Sequence, residues 1–312
     1  MFKYSNNNKR YHTLDYFYKN KFNSKVFKIS LNAGFSCPNL KDGGCIYCSE
    51  TGSGEFAGNI NDDLITQFNK GVEMLEKKWP VGLYIGYFQA RTNTFAPLPI
   101  LKEKYETILK LNKVIGLSIA TRPDCINDEC LEYLADLNKR TYLTIELGLQ
   151  SMYEDTLKYI NRGHDLKTFE EMVKKLRSKN INVVVHIING LPNETKEMMI
   201  ETVKYLNSLD IQGIKIHMLH IIKNTKLADI YEKNKFHVLA KEEYVEIVCL
   251  QLQYLRSEIV IHRLTGDPKK EDLIEPSWLL KKFCVLNDID KYMAKNDLWQ
   301  GKKVENTINI KN

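Results

Sequence analysis

Short apolar runs, mostly β-branched or aromatic, recur along the chain at 26–31, 82–88, 114–120, 142–147, 183–188 and 213–222. Between them lie longer stretches with helical spacing of apolar residues, over 62–78, 100–112, 128–138, 168–179 and 196–209. Strands that alternate with helices of this length predict βαβ units and a parallel sheet. Asp62 and Thr195 stand where helices are expected to start, and Pro80 suits the loop after the first helix. Six such strands are too few for a full eight-stranded barrel, so the pattern predicts an α/β fold built on a partial (β/α)6 barrel. From about residue 241 the pattern changes to a helix (242–256), a short strand (259–262) and a further helix (276–295). It reads as a C-terminal α/β extension that packs on and closes the barrel. The expected organisation is thus an N-terminal arm over 1–25, the partial barrel over 26–240 and the extension over 241–312.

In β/α barrels the residues just beyond the C-terminal end of each strand form the ligand site. That rule selects Cys37–Cys48 after the first strand and Gln89-Ala-Arg-Thr-Asn93 after the second. It then selects Thr121-Arg-Pro-Asp124, Gly148-Leu-Gln-Ser151 and Asn189-Gly-Leu-Pro192, while the sixth strand carries Lys215, His217 and His220 within it. Polar, glycine-containing tips on one rim are what a ligand site requires.

Composition narrows the setting. The 312 residues are 43% hydrophobic and 27% charged, which is ordinary for a soluble globular protein. No apolar run approaches the roughly 20 residues that span a bilayer, and residues 1–10 lack the apolar stretch of a secretory signal. A cytoplasmic protein with no membrane partner is expected. Seven cysteines, an odd number in a reducing compartment, argue against a disulfide framework. Residues 1–28 hold seven basic groups against one acid, an excess equal to the whole chain's net charge of +6, and eight aromatic residues lie among them. Interleaved cations and rings suit a phosphate backbone with unstacked bases; they equally suit a solvated arm whose aromatics pack on the barrel.

Three of the cysteines fall in Cys37-Pro-Asn-Leu-Lys-Asp-Gly-Gly-Cys45-Ile-Tyr-Cys48, a C-x7-C-x2-C spacing. Thiolates bind iron–sulfur clusters or zinc, and structural zinc takes four nitrogen or sulfur ligands. Three thiols with no histidine in the loop fit a [4Fe–4S] cluster with one iron left open. A zinc knuckle completed by a distant ligand such as His217 is the alternative. Gly43 and Gly44 allow the loop to curl. Cys125 and Cys130, with four residues between them, are too few for a second cluster; Cys125 reads as a loop thiol or a hydrogen-atom donor.

The cysteine loop resembles the signature of the radical S-adenosylmethionine (SAM) superfamily. That resemblance implies an open iron that chelates SAM, reductive cleavage of its sulfonium and a 5′-deoxyadenosyl radical. Further stretches resemble one branch, the YhcC/YtqA-like proteins, relatives of the Elongator-type and coproporphyrinogen-oxidase-type enzymes. They are Gly34-Phe-Ser-Cys-Pro-Asn39, Tyr87 to Pro97, Ala120-Thr-Arg-Pro-Asp-Cys125 and Glu146-Leu-Gly-Leu-Gln-Ser151. Others are Asn161-Arg-Gly-His164, His186 with Gly190-Leu-Pro192, Lys215-Ile-His217, Arg263-Leu-Thr-Gly-Asp267 and Trp299-Gln-Gly-Lys302. The superfamily's Gly-Gly-Glu on the second strand is replaced by Gly86-Tyr-Phe-Gln89, and the spacing of seven replaces the commoner three.

The resemblance implies Cys37, Cys45 and Cys48 as cluster ligands, with Tyr47 beside the SAM adenine. It implies Gln89, Glu146, Gln150, Ser151 and Arg162 as cofactor-binding, Gln150 near the ribose and Arg162 facing the carboxylate, where a guanidinium fork is apt. His186, Lys215 and His217, on barrel strands, read as a polar lining around the substrate, with Cys125 beside them as the fourth candidate catalytic group; buried core histidines are the plainer reading. The branch implies tRNA as partner, with a wobble uridine processed from carboxymethylaminomethyl to aminomethyl after hydrogen abstraction from the glycine-like group. It also implies an electron donor such as flavodoxin or ferredoxin. The basic tail (Lys302, Lys303, Lys311) is consistent with RNA binding. A radical SAM enzyme for a small metabolite or protein side chain, and a non-enzymatic iron–sulfur or zinc sensor, are the competing readings.

Overall fold

A computed structural model describes residues 2–49, 52, 56–79 and 82–304; the expectations placed on Pro80 and Lys311 lie outside them. The elements run α1 (Leu14–Phe22), β1 (Val26–Leu31), α2 (Leu64–Glu76), β2 (Leu83–Phe88), α3 (Leu98–Leu109), β3 (Val114–Thr121), α4 (Asp128–Arg140) and β4 (Tyr142–Gln150). They continue α5 (Glu154–Tyr159), α6 (Leu166–Ser178), β5 (Asn182–Asn189), α7 (Lys196–Leu206), β6 (Gly213–Met218), β7 (Ile221–Ile222) and α8 (Lys226–Lys233). The last are α9 (Lys241–Tyr254), β8 (Val260–Arg263), β9 (Leu273–Glu275) and α10 (Lys282–Lys295).

Seven strands form one sheet in the order β1-β2-β3-β4-β5-β6-β8, the partial (β/α) barrel that the alternation predicts. The short strand of the extension supplies the seventh. Strands buried on both faces read as continuous apolar runs rather than alternating ones, and β2 through β5 do. Helix starts follow local chemistry: Asp63, Asn127, Asp165, Thr195 and Thr225 each accept a backbone N–H of the first turn. The cap of α2 is therefore Asp63 and not Asp62, whose carboxylate instead meets Lys70 at 2.8 Å. The expected sixth strand is shorter than its apolar run. β6 stops at Met218, and β7 pairs antiparallel with β9 in a separate two-stranded sheet.

The chain divides into two compact units. One, here the cysteine unit, comprises Tyr18–Gly148 and Gly163–Val184. Its core sets Phe88 against Tyr105 edge to face at 5.0 Å, with Tyr133 stacked beyond Tyr105. Gly86 is small of necessity: a Cβ there would lie 2.4 Å from Ile108 of α3.

The other, the histidine unit, comprises Met1–Phe17, Leu149–Arg162 and Val185–Asn312. Inside it the N-terminal segment is tied in by backbone. Ile261 N–H donates to the His12 carbonyl at 2.8 Å, and Thr13 bridges Ile261 in parallel. Gln300, fully buried, accepts the His12 N–H at 2.9 Å and donates to the carbonyls of Arg256 and Ile259, both at 2.8 Å. Tyr4 stacks on His12 at 4.4 Å and Tyr11 is buried. Among the described residues no helix is long and apolar enough to cross a membrane.

Candidate functional site

The cysteine loop follows β1 directly. Cys37 opens a short 3₁₀ turn, Pro38–Asp42, closed by Gly43 at φ +84° and Gly44 at φ +72°. Only glycine takes two successive left-handed positions without steric cost. Gly43 N–H reaches the Leu40 carbonyl, Gly44 N–H that of Asn39 at 2.8 Å, and Cys48 N–H that of Cys45 at 3.1 Å. The loop is thereby folded back so that Cys45 is buried, while Cys37 and Cys48 stay half-buried. Buried Asn39 donates its side-chain N–H to the Cys45 sulfur at 3.5 Å. Such a donor steadies a sulfur ligand and strengthens on a thiolate. Tyr47 stands half-buried between Cys45 and Cys48.

Arg122, at the tip of β3, is buried beside this loop. Its fork grips Asp124 through two bonds, 2.9 and 2.8 Å, and reaches the Gly163 carbonyl at 3.0 Å. Burial opposes its charge, but the Asp124 carboxylate, with smaller contributions from Cys37 and Cys125, raises its basicity above the ordinary arginine value. Gly163 (φ +76°) fits against the loop so closely that a Cβ would stand 2.4 Å from Asn39 Oδ1 and 3.0 Å from Arg122 Nη2. Cys125 is half-buried, 3.7 Å from Asp124 Oδ1, and its thiol is pushed up to about 12, first by burial and then by that carboxylate. It holds its proton. Cys130 lies buried in α4, likewise pushed up to about 12 by burial.

After β2, Gln89 is half-buried and its N–H donates to the Leu31 carbonyl, and Ala90 and Arg91 follow at φ +69° and +60°. Two successive non-glycine residues in that region store strain of about 1–3 kcal/mol each. The strain is held by Asn93, whose side chain ties down the Ala90 and Ala120 carbonyls. Glu146 is buried and already engaged: Lys28 Nζ meets it at 2.7 Å and Ser118 Oγ at 2.5 Å.

In the histidine unit, Gln150 ends β4 at φ +73°, with its Oε1 shielded from solvent and without a hydrogen-bond partner. Ser151 is fully buried and bonds Glu194, whose carboxyl is pushed up by burial. Arg162 is buried after α5. On β5 and β6, the His186 and His217 rings lie 5.2 Å apart, and Lys215 is 5% exposed. His217 Nε2 is shielded and makes no hydrogen bond. Burial holds His217 well below the ordinary histidine value, with His186, Arg263, Lys215 and His220 adding to the effect. Lys215 and Arg263 stand at paired register positions of β6 and β8.

The candidate residues thus fall in both units. Cys37, Cys45, Cys48, Tyr47, Gln89, Cys125 and Glu146 belong to the cysteine unit. Gln150, Ser151, Arg162, His186, Lys215 and His217 belong to the histidine unit. Sequence reasoning missed Asn39, the strained Ala90–Arg91 pair, the Lys28 partner of Glu146, and Arg263 beside Lys215. The position of Asn39 between two of the cysteines was a usable signal; the left-handed backbone at Ala90 and Arg91 leaves no mark in non-glycine residues, and the Lys28 and Arg263 contacts are long-range pairings.

Among the described residues no group of three or more His, Cys, Asp or Glu side chains is arranged to hold a metal ion. What fits an iron–sulfur group is the chemistry of the donors. Three thiols lie on one loop folded by two left-handed glycines, and one sulfur already accepts an amide N–H. In the histidine unit, the Gln150 Oε1, shielded and without a hydrogen-bond partner, is a free acceptor for a polar ligand.

The family model described as Radical SAM superfamily matches residues 37–206, and that of the Radical_SAM C-terminal domain matches 211–295. The chain is 50% identical to Uncharacterized protein YtqA of Bacillus subtilis (strain 168) over 305 residues, 96% of this chain and 95% of the relative. It is 29% identical to Elongator complex protein 3 of Saccharomyces cerevisiae over 160 residues, 50% of this chain and 28% of that one. Among solved structures it resembles archaeal Methanocaldococcus infernus Elp3, with TM-score 0.67 and 19% identity over 88% of this chain and 64% of that chain. That last likeness is one of fold.

Proposed function

The chain belongs to the radical SAM superfamily, whose cofactors are a [4Fe–4S] cluster and S-adenosylmethionine, and from that membership we propose that it modifies the wobble uridine of tRNA. In this reading the side chain is processed from carboxymethylaminomethyl to aminomethyl. Cys37, Cys45 and Cys48 would hold the cluster, with Asn39 donating to the Cys45 sulfur. Tyr47 sits by the adenine, the Gln150 amide takes the SAM ribose through its unpartnered Oε1, and Arg162 faces the SAM carboxylate. Gln89 and its strained neighbours border the SAM amino group. A [4Fe–4S] cluster bound there, with flavodoxin or ferredoxin as electron donor, would supply the one-electron chemistry that cleaves the SAM sulfonium and generates a radical able to abstract hydrogen.

The protein's own residues then have plain tasks. Glu146 and Ser151 are engaged by Lys28 and Glu194, so they act by positioning strand β4 rather than by offering an open carboxylate or hydroxyl. Cys125 carries a proton under ordinary conditions and fits a hydrogen-atom donor better than a nucleophile.

The observation that carries the radical SAM site is the folded-back loop of three thiols beside Asn39. The tRNA step is supported by the likeness to the YtqA-like and Elongator-type proteins. The decisive experiment incubates reduced enzyme and SAM with tRNA bearing carboxymethylaminomethyluridine, followed by digestion and mass spectrometry of the nucleosides. An aminomethyl product is expected; unchanged nucleosides from an enzyme that releases 5′-deoxyadenosine would overturn the substrate.

A further inference from the structure

Arg122 carries a full positive charge into buried ground beside the cysteine loop. It belongs with Cys37, Asn39, Cys45, Asp124 and Gly163 to the cysteine unit. A Cβ built on Gly163 would lie 3.0 Å from Arg122 Nη2 and 2.4 Å from Asn39 Oδ1, so the guanidinium and Asn39 close on one point of the backbone. Asn39 in turn donates to the Cys45 sulfur at 3.5 Å. The neutralising carboxylate stands in a wetter place. Asp124 Oδ1 is 3.7 Å from the Cys125 sulfur, and its side chain is 30% exposed against 5% for Arg122. Water therefore screens the carboxylate more than the guanidinium, and the field left over at the loop is positive. The Cys37 thiolate accordingly adds to the basicity of Arg122, and the attraction is mutual. Folding stability does not account for the pair, since apolar side chains of the same volume commonly match a buried ion pair. A cation beside three sulfurs is explained by negative charge that gathers there.

We infer that Arg122, held in place by Asp124, raises the reduction potential of the cluster in the cysteine loop and so sets how readily that cluster takes up an electron. The inference rests on the assignment of Cys37, Cys45 and Cys48 as cluster ligands, and not on the tRNA substrate. The electron comes from a one-electron donor protein, which is oxidised as the cluster is reduced; no bond forms or breaks and no proton moves. With three thiolates a [4Fe–4S] core in its 2+ state carries one net negative charge, and reduction adds a second. Potentials of such clusters respond to nearby charge and to hydrogen bonds on sulfur. A buried guanidinium is permanently charged and favours the more negative, reduced state. Arg122 acts here through its field and is not a catalytic residue.

The midpoint potential of the reconstituted enzyme, without SAM, is measured by titration with dithionite and followed by the electron paramagnetic resonance of the reduced cluster. Working at about pH 8 keeps the part-exposed Asp124 carboxylate ionised even without its partner. Arg122→Gln is expected to lower the ratio of reduced to oxidised cluster at a given potential about tenfold or more, roughly 59 mV for a one-electron couple. Asp124→Asn is expected to raise that ratio by a similar factor. Arg122→Lys keeps the charge and is expected to stay within about threefold of wild type. Only an electrostatic role gives opposite signs; a merely structural one would lower iron content in both variants without a signed shift. Should Arg122→Gln take up no iron, Asp124→Asn and Arg122→Lys still decide, by a rise in the first and little change in the second. Shifts of the same sign, or none, in Arg122→Gln and Asp124→Asn would overturn the inference, as would an Arg122→Lys that falls as far as Arg122→Gln. Iron retained in Cys45→Ala would sink the cysteine assignment and the inference with it. A full wild-type cluster whose potential ignores both charges would sink the inference alone.

Discussion

At Gly163 a single methyl group decides how the cysteine loop is held. Because the backbone there is left-handed and an added Cβ would meet Asn39 at 2.4 Å, Gly163→Ala must strain the turn and push Asn39 off the Cys45 sulfur. The expected cost is about 1–3 kcal/mol, read as a lower melting temperature together with reduced iron per chain after reconstitution. Full iron content in that variant would show that Asn39 does not matter to loading. Cys45→Ala is expected to lose the cluster outright, visible as loss of colour and iron. Gln150→Ala should weaken SAM binding while iron content stays intact, since its orphaned oxygen is assigned to SAM. Unchanged SAM affinity would remove Gln150 from the site. The cysteines stood out in the sequence because three fall within twelve residues, and the surrounding motifs pointed to the chemistry. Asn39 and Gly163 did not, since their meaning lies in a contact between residues more than a hundred positions apart.

Among the elements, the parallel strands could be read from composition, because strands covered on both faces leave continuous β-branched and aromatic runs. The sixth run misled by four residues: Ile221–Ile222 are as apolar as β6, yet pair with Leu273–Glu275 in a different sheet. Nothing local marks that partner. α1 was hidden for another reason, as its cations dominate the segment and its apolar stripe is thin. In the structure several cations flanking α1 are engaged in the fold. Lys9 and Arg10 pair with Asp290 and Asp297, Lys25 lies 3.0 Å over the Trp79 ring, and half-buried Lys28 pairs with Glu146. The strap made by Gln300 is an element-scale clamp of three hydrogen bonds. Gln300→Leu leaves buried backbone groups unmade at about 1–3 kcal/mol each, so a clear drop in melting temperature is expected, with SAM cleavage retained at low temperature. An unchanged melting temperature would mean the segment is held by Tyr4 and Tyr11 instead.

For the whole molecule, pH is the informative variable. His12, His217 and His220 are all lowered from 6.5, each chiefly by burial. Above that value folded and unfolded chains carry these imidazoles neutral, and nothing is lost. As pH falls below 6.5 the unfolded chain takes up protons that the folded one refuses, so stability declines. Urea midpoints measured between pH 7.5 and about 5 should therefore fall steadily, and His12→Phe should make the slope shallower. An identical slope in that variant would show that His12 protonates freely in the fold. Truncation tests the same scale. Removing residues 1–21 takes away buried Tyr11 and Tyr18 and the bridge to Ile261. Aggregation or a marked loss of stability is expected, not a well-folded enzyme with altered RNA binding.

The pairing of His12 with Gln300 also sets an order of events during synthesis. His12 finds its partners on β8 and at position 300, and those partners leave the ribosome long after it. At roughly 5–20 residues per second, Phe2, Tyr4 and Tyr11 must wait on the order of 15–60 s with their rings in water. For that interval the nascent chain displays an aromatic cluster with no surface to cover it. Chaperones that sample the emerging chain therefore have a long window on this one segment, and codon changes that slow synthesis of the stretch leading to Ile261 and Gln300 should lower the soluble yield.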